Sequence, residues 1–192
     1  MLNILKYTFS IFLFMTMITL SQSEKVHSGP MLSYVDGYGT QIWFLLDRSV
    51  QKIDVDVRDY DNDNLIEYSF NVPNDYDLNQ IPFTISIETL LPNTEYIASI
   101  FVDDVFLQDI DIFTKRPHLD DVQFLLGSDF DLSSSRMLPY MTETYSDFMV
   151  WLGGHVSFSF PITLEGILSH YIELRKDDQF DEFLTSVPQI AT

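Results

Sequence analysis

The sequence has 192 residues, no cysteine and a formal net charge of −19 at pH 7. Without thiols, the chain has neither disulfides nor thiolate metal ligands. The acidity disfavours nucleic acids and anionic membrane surfaces, which are bound by clustered Lys and Arg. We interpret it as the solvated surface of an exported protein and assign no specific partner to it.

The first 23 residues have the pattern of a secretory signal. Lys6 supplies the positive charge, residues 7–20 are mainly apolar, and Ser21 and Ser23 give the small-x-small pattern of a cleavage site. A membrane-spanning helix needs roughly 20 apolar residues. The sequence therefore predicts cleavage of residues 1–23, no stable membrane span, and a secreted, periplasmic or cell-surface protein. A retained membrane anchor is the alternative.

Residues 30–114 alternate between apolar and polar side chains. In residues 51–59, Ile53, Val55 and Val57 are expected to face a core. Short β-rich segments with turn residues between them predict an antiparallel sandwich over residues 29–116. These segments are "GTQIWFLL", "QKIDVDVRDY", "NLIEYSFNV", "FTISIETL", "EYIASIFV" and "DIDIFTK".

One turn in this region has a more specific pattern. "LLPNTEY", residues 90–96, resembles the Leu-x-Pro-x-Thr-x-Tyr segment of fibronectin-type and related sandwiches. The resemblance implies that Leu90 is a core residue. It also implies that the Tyr96 hydroxyl forms a hydrogen bond back across the corner.

After Thr114 the pattern changes to that of an α/β unit. "KRPHLDD" is interpreted as a linker, and the apolar runs "VQFLLGS" and "DFMVWLGG" predict strands of a mostly parallel sheet that are buried on both faces. Helices are predicted around residues 136–145, 162–176 and 177–187. The second predicted helix places Leu164, Ile167, Leu168, Tyr171 and Ile172 on one face.

In order along the chain, these segments resemble the alkaline phosphatase D (PhoD-like) phosphodiesterases. The quoted parts are "GPMLSYV", "TQIWFLL", "LLPNTEY", "IFTKRP", "VQFLLGS", "SDFMVWLGGHV" and "HYIELRKDDQFDEFLTSVPQIAT". The resemblance implies a fibronectin- or immunoglobulin-like all-β sandwich followed by a partial α/β domain of the calcineurin-like metallophosphoesterase type. That second domain would occupy residues 118–192. It further implies a phosphate-ester substrate and a metal centre of iron, calcium or a similar ion.

The metal ligands of this family follow the two apolar strands. Where the family has Gly-Ser-Cys, this sequence has Asp129 after Gly127 and Ser128, and where it has Trp-Leu-Gly-Asp-Asn-x-Tyr, Gly154 replaces the bridging Asp and Ser157 the Tyr. His155 stands at the Asn position. The resemblance therefore implies that the ligand positions Gly154 and Ser157 are lost, which leaves Asp129 and His155 as the metal-ligand candidates. No catalytic residue is predicted.

The family's later Trp-Asp-Asp-His-Asp signature would begin where this sequence reaches Thr192. The expectation is an exported homologue that carries only the N-terminal part of the phosphoesterase domain and is inactive as this chain. The alternatives are a non-catalytic exported binding module, whose sandwich carries the function, and a gene remnant or fragment of a longer phosphatase.

Two other acidic patterns have structural interpretations. Asp59, Asp61 and Asp63 have the spacing of a calcium loop but lack its glycine, which favours a solvated hairpin turn. Asp131, two residues after Asp129, forms an acidic pair with it, which is interpreted as helix capping, as loop solvation or as a further metal-ligand candidate. Neither pattern by itself predicts a complete metal site.

Overall fold

The computed structural model describes residues 25–61, 64–73, 79–116, 121–128, 130–152 and 163–191. Its first seven strands are β1 (Val26–Val35), β2 (Thr40–Asp47), β3 (Lys52–Asp59), β4 (Leu65–Asn71), β5 (Gln80–Ile87), β6 (Glu95–Val102) and β7 (Val105–Phe113). They form two antiparallel sheets, with the strand orders β1-β2-β5 and β4-β3-β6-β7.

One hydrophobic core lies between these two sheets. Ile42 and Phe44 of β2 pack in the same cluster as the inward-facing residues of β3, Ile53, Val55 and Val57, and all five are fully buried. Apolar side chains on alternate positions of both sheets therefore meet in the middle layer. The predicted all-β sandwich is confirmed, and we call strands β1 to β7 the sandwich.

The corner before β6 has the predicted tyrosine bond. The backbone N–H of Leu91 donates to the Tyr96 hydroxyl at 2.8 Å, and Leu90 is buried in the core. Asn93 has a φ of 53°, which lets the chain reverse direction between Leu91 and Tyr96. The interpretation of residues 90–96 as a tyrosine corner is confirmed.

Replacing Tyr96 by phenylalanine should lower the free energy of unfolding by about 1 kcal/mol, because the Leu91 N–H loses its acceptor while the ring still fills the core. Chemical denaturation of the purified protein measures the change. Tyr38→Phe, which removes an exposed hydroxyl from the same sandwich, is the matched control and should leave stability unchanged. Equal effects of the two substitutions would contradict this role of the corner.

Two hairpin turns of the sandwich contain acidic residues. Asp103 and Asp104, between β6 and β7, have φ values of 47° and 65°. Asp59 is buried at the end of β3, where its Oδ1 accepts from the N–H of Asp61 at 2.9 Å. Asp63 lies outside the described residues. The described part of this segment is therefore the predicted hairpin turn.

The rest of the described chain forms an α/β unit. It contains β8 (Phe124–Gly127), a 3₁₀-helix (Leu132–Met137), α1 (Leu138–Thr142), β9 (Phe148–Trp151), α2 (Leu164–Leu174), α3 (Asp178–Ser186) and β10 (Gln189–Ala191). The three strands are parallel in the order β10-β9-β8. The predicted helix at 136–145 begins earlier, as a 3₁₀-helix, and α1 ends at Thr142.

The prediction that both strands of this unit are buried on both faces is wrong for β8. Phe124 and Leu126 are 50% and 56% exposed, whereas Leu125, on the opposite face of the strand, packs against the core of the α/β unit. The predicted apolar face of α2 is also only partly covered. Leu164 is exposed, and Leu174, near the end of that helix, is its buried residue.

The sandwich and the α/β unit have separate cores that touch at β1. The second core consists of buried residues from the strands and helices of the α/β unit, and Met31 of β1 packs against it. Arg175 Nη2 donates to the Pro30 carbonyl at 3.1 Å, and Lys115 Nζ lies 2.9 Å from Asp147 Oδ1. The first strand of the sandwich therefore belongs to the contact between the two units.

Two sequence predictions fall outside this description. Residues 1–23, the predicted signal, are not among the described residues, and the boundaries 29–116 and 118–192 stay a prediction. In the part of the chain that the structure covers, no helix has the length and hydrophobicity needed to cross a membrane.

Candidate functional site

The two motif-bearing strands end side by side. β8 and β9 are parallel neighbours, Gly127 pairs with Trp151, and the N–H of Leu152 donates to the Gly127 carbonyl at 2.8 Å. Ligands of α/β sheets bind outside the carboxyl ends of the strands. The segments that begin at Ser128 and at Leu152 therefore start from one edge of the sheet, which we call the carboxyl edge.

A buried aromatic cluster fixes the position of this edge. Trp151 Nε1 donates to Gln189 Oε1 at 2.7 Å, which ties the end of β9 to β10. Phe130, just after β8, lies edge-on to Trp151, with their ring centres 6.2 Å apart. It also stacks on Phe180 of α3, with ring centres 4.8 Å apart. A Cβ on Gly127 would lie 2.6 Å from Met149 Cε, so a larger residue there would require the flexible end of the Met149 side chain to move.

Asp131 has the helix-capping role that was one of its three interpretations. Its Oδ1 accepts from the N–H of Ser133 at 2.7 Å and begins the 3₁₀-helix. That backbone hydrogen bond, together with the Ser133 hydroxyl, holds the pKa of the Asp131 carboxyl below its ordinary value. The electrostatic interaction with His170 lowers the pKa of Asp131 in the same direction.

His170 is a residue that sequence analysis did not connect with this edge. It lies on α2, 39 positions after Asp131, and no motif spans that distance. Its charge contributes to the lowering of the Asp131 pKa. Only the packing of α2 against the core of the α/β unit could have indicated this connection.

The family resemblance named four site positions. Asp129, Gly154, His155 and Ser157 all lie outside the described residues. Within the described ranges, no three His, Asp or Glu side chains lie close enough together to hold a metal ion. A two-metal centre needs a bridging carboxylate, and Asp131 already uses one oxygen as a cap. The described residues of the carboxyl edge therefore contain no complete set of ligands for a two-metal centre.

The comparison with solved structures identifies a similar fold. The structure titled "Structure of PhoD" matches with a TM-score of 0.67 at 13% sequence identity, over 88% of this chain and 38% of that chain. The chain has a PhoD-like fold. It spans well under half of the PhoD chain that it matches, and at this identity the likeness concerns the fold alone.

Two further structures match with lower scores. The sensor domain of the anti-sigma factor RsgI4 from Pseudobacteroides cellulosolvens has a TM-score of 0.37 at 13% identity, over 51% of this chain and 95% of its own. The chicken CNTN1 FN1–FN3 domains have a TM-score of 0.34 at 14% identity, over 44% of this chain and 28% of theirs. No protein-family model and no curated protein matches the chain.

Proposed function

We propose that the chain is an exported homologue of the PhoD-like alkaline phosphatases and phosphodiesterases, and that it does not hydrolyse phosphate esters by itself. The observation that carries the first part is the PhoD-like fold. In this fold, the chain segments that begin with Ser128 and with Leu152 both start from the carboxyl edge. Those segments contain the sequence motifs that resemble the family's metal ligands.

The second part rests on the chemistry of phosphoryl transfer. Hydrolysis by two metal ions needs a carboxylate that holds the cations about 3.5 to 4 Å apart. The resemblance places Gly154 at that position, and glycine has no ligand atom in a side chain. Without bound cations, a chain of net charge −19 also repels an anionic phosphate ester.

Export is part of the same proposal. The apolar run at residues 7–20 and the small residues after it support a cleaved signal and a secreted, periplasmic or cell-surface location. If another arrangement of residues gives the chain hydrolytic activity, its substrate would be a phosphate ester. Iron, calcium or a similar ion would then be the cofactor to test.

We expect no metal-dependent hydrolysis when the purified chain is assayed with a chromogenic phosphodiester and added Ca²⁺, Fe³⁺, Zn²⁺ or Mn²⁺. Product release should equal that of a chelated sample. Gly154→Asp should not restore turnover, because one added carboxylate cannot supply the remaining ligands of two cations.

Substitution of the candidates themselves supplies the control. Asp129→Asn and His155→Gln should leave the background rate unchanged if neither residue holds a functional metal. Metal-dependent turnover by the unmodified chain that disappears in either variant would contradict the proposed inactivity. It would also identify that residue as a ligand.

A further inference from the structure

A cleft separates the sandwich from the α/β unit on the side away from the carboxyl edge. It has a volume of about 600 Å³, and its walls include Tyr60 and Phe113 from the sandwich and Tyr145 and Asp147 from the α/β unit. Asp147 directly precedes β9, and Pro188, also in the wall, directly precedes β10. The cleft therefore lies at the amino ends of the parallel strands. Its volume is within the usual range of ligand sites.

Three aromatic side chains line this cleft without being buried in a core. Tyr60 is 68% exposed and Tyr145 is 92% exposed, and Phe113 is also exposed. Tyr145 has a φ of 53°, an uncommon conformation for a bulky residue. Exposed rings that line a cleft offer faces for stacking or for contact with a cation.

The carboxylates of the cleft outnumber its positive charges. Asp147 forms an ion pair with Lys115. Partial burial raises the pKa of Asp147, but hydrogen bonds donated to its carboxylate by the Lys115 ammonium and the Gln123 N–H lower it below its ordinary value. Glu95 and Asp111 line the same cleft and have no ion pair within the described part of the chain. The described lining thus has an excess of two negative charges.

We propose that this cleft binds the guanidinium or ammonium group of an Arg or Lys side chain presented by a basic partner polypeptide. A cation over the face of a tyrosine ring is attracted by the ring quadrupole, and Glu95 and Asp111 add charge complementarity. The ammonium of Lys115 already lies 6.0 Å from the centre of the Phe113 ring, so this wall contains one ammonium–aromatic contact. The net charge of −19 favours encounter with a cationic partner.

The test uses the full chain and a capped pentapeptide, Gly-Gly-Arg-Gly-Gly, in calorimetric titrations. The matched probe contains citrulline instead of arginine, which keeps the size but removes the charge. We expect the citrulline peptide to bind at least about tenfold more weakly, since it has neither the ion pairing nor the cation–π contact. The same titrations at increasing salt concentration measure the electrostatic contribution to the binding free energy.

Variants inside and outside the cleft separate specific binding from general attraction. Tyr145→Ala and Asp111→Asn should each weaken binding of the arginine peptide by about fivefold. Tyr140→Ala and Asp56→Asn make the same chemical changes at positions outside the lining and should leave affinity unchanged. All four side chains lie at the surface or on an outward sheet face, and a thermal melt of each variant checks that it is folded.

Three results would overturn the proposal. Equal binding of the citrulline peptide would show that positive charge is not what the cleft recognises. An equal loss in Asp56→Asn and Asp111→Asn would show that the peptide senses only the overall charge. Absence of saturable binding at millimolar peptide would show that the cleft does not take this group. Hydrolysis plays no part in any of these measurements, so their outcome is independent of the proposed inactivity.

Discussion

Replacing Phe180 by alanine should lower the free energy of unfolding of the α/β unit by about 3 to 5 kcal/mol while the sandwich stays folded. Phe180 is fully buried in α3 and stacks on Phe130, which in turn contacts Trp151. Its removal leaves a cavity in a core built from only a few helices and short strands. The sandwich core is a different cluster of residues and does not lose contacts with Phe180.

Hydrogen exchange followed by mass spectrometry measures this difference region by region, because local and global opening have separate free energies. Peptides from β9 and α3 should lose protection in Phe180→Ala, whereas peptides from β3 and β6 should keep it. Phe124→Ala is the matched control in the same unit, since half of the Phe124 surface is already exposed. Equal loss of protection in both halves would show that the two units unfold as one.

Replacing Arg175 by methionine should destabilise the contact between the two units by about 2 kcal/mol at neutral pH. The Arg175 side chain is only 6% exposed, and its Nη2 binds both the Pro30 carbonyl and, at 2.5 Å, Asp181 Oδ1. Methionine keeps most of the apolar stem but leaves Asp181 without this cation. The expected destabilisation is smaller than for a fully buried ion pair, because the Asp181 side chain is 36% exposed.

The cost of this substitution should depend on pH in a defined direction. Burial raises the pKa of Asp181 and the nearby Asp178 raises it further, while attraction to Arg175 lowers it. The pKa of Asp181 is above its ordinary value even with Arg175 present, and it rises further without Arg175. The charged carboxylate is then costly in the folded state. The destabilisation should be greatest above that pKa, and it should shrink as the pH falls towards about 4 and the carboxyl becomes protonated.

Urea unfolding at several pH values tests this prediction. Lys176→Met removes the same charge one residue later, from an exposed side chain paired with Glu173, and should cost under about 0.5 kcal/mol. Asp181→Leu added to Arg175→Met should recover most of the loss, because it removes the unpaired carboxylate. A cost for Arg175→Met that does not change with pH would contradict this account. Within the described residues, Arg175 Nη1 is buried without a hydrogen-bond partner, which also favours recovery of stability in the double variant Arg175→Met, Asp181→Leu.

Local patterns predicted the sandwich well. Alternation placed Ile53, Val55 and Val57 in the core, since a strand turns successive side chains to opposite faces whatever its neighbours are. The contact of Tyr96 with Leu91 spans five residues, so a short motif was enough to indicate it. Both predictions depend only on residues that are close together in sequence.

Predictions that needed knowledge of neighbouring elements were less successful. The run around Phe124 and Leu126 is as apolar as a doubly covered strand, but burial depends on what packs against each face. The cleft brings together Tyr60 and Tyr145, which are far apart in sequence and belong to no motif. The family resemblance indicated the PhoD-like fold, whereas Asp129 and His155, which it named as candidates, lie outside the described residues.

The position of β1 between the two units also bears on the order in which the chain folds. Pro30 and Arg175 are 145 residues apart, and closing so long a loop in an unfolded chain carries an entropic cost that rises with loop length. The folded sandwich shortens the loop, because the N–H of Lys115 donates to the Asp36 carbonyl and holds the end of β7 close to β1. The remaining path is roughly half as long, which lowers the closure cost by about 0.6 kcal/mol. We therefore expect the sandwich to form before the α/β unit, which packs against β1, an outer strand of its described sheet.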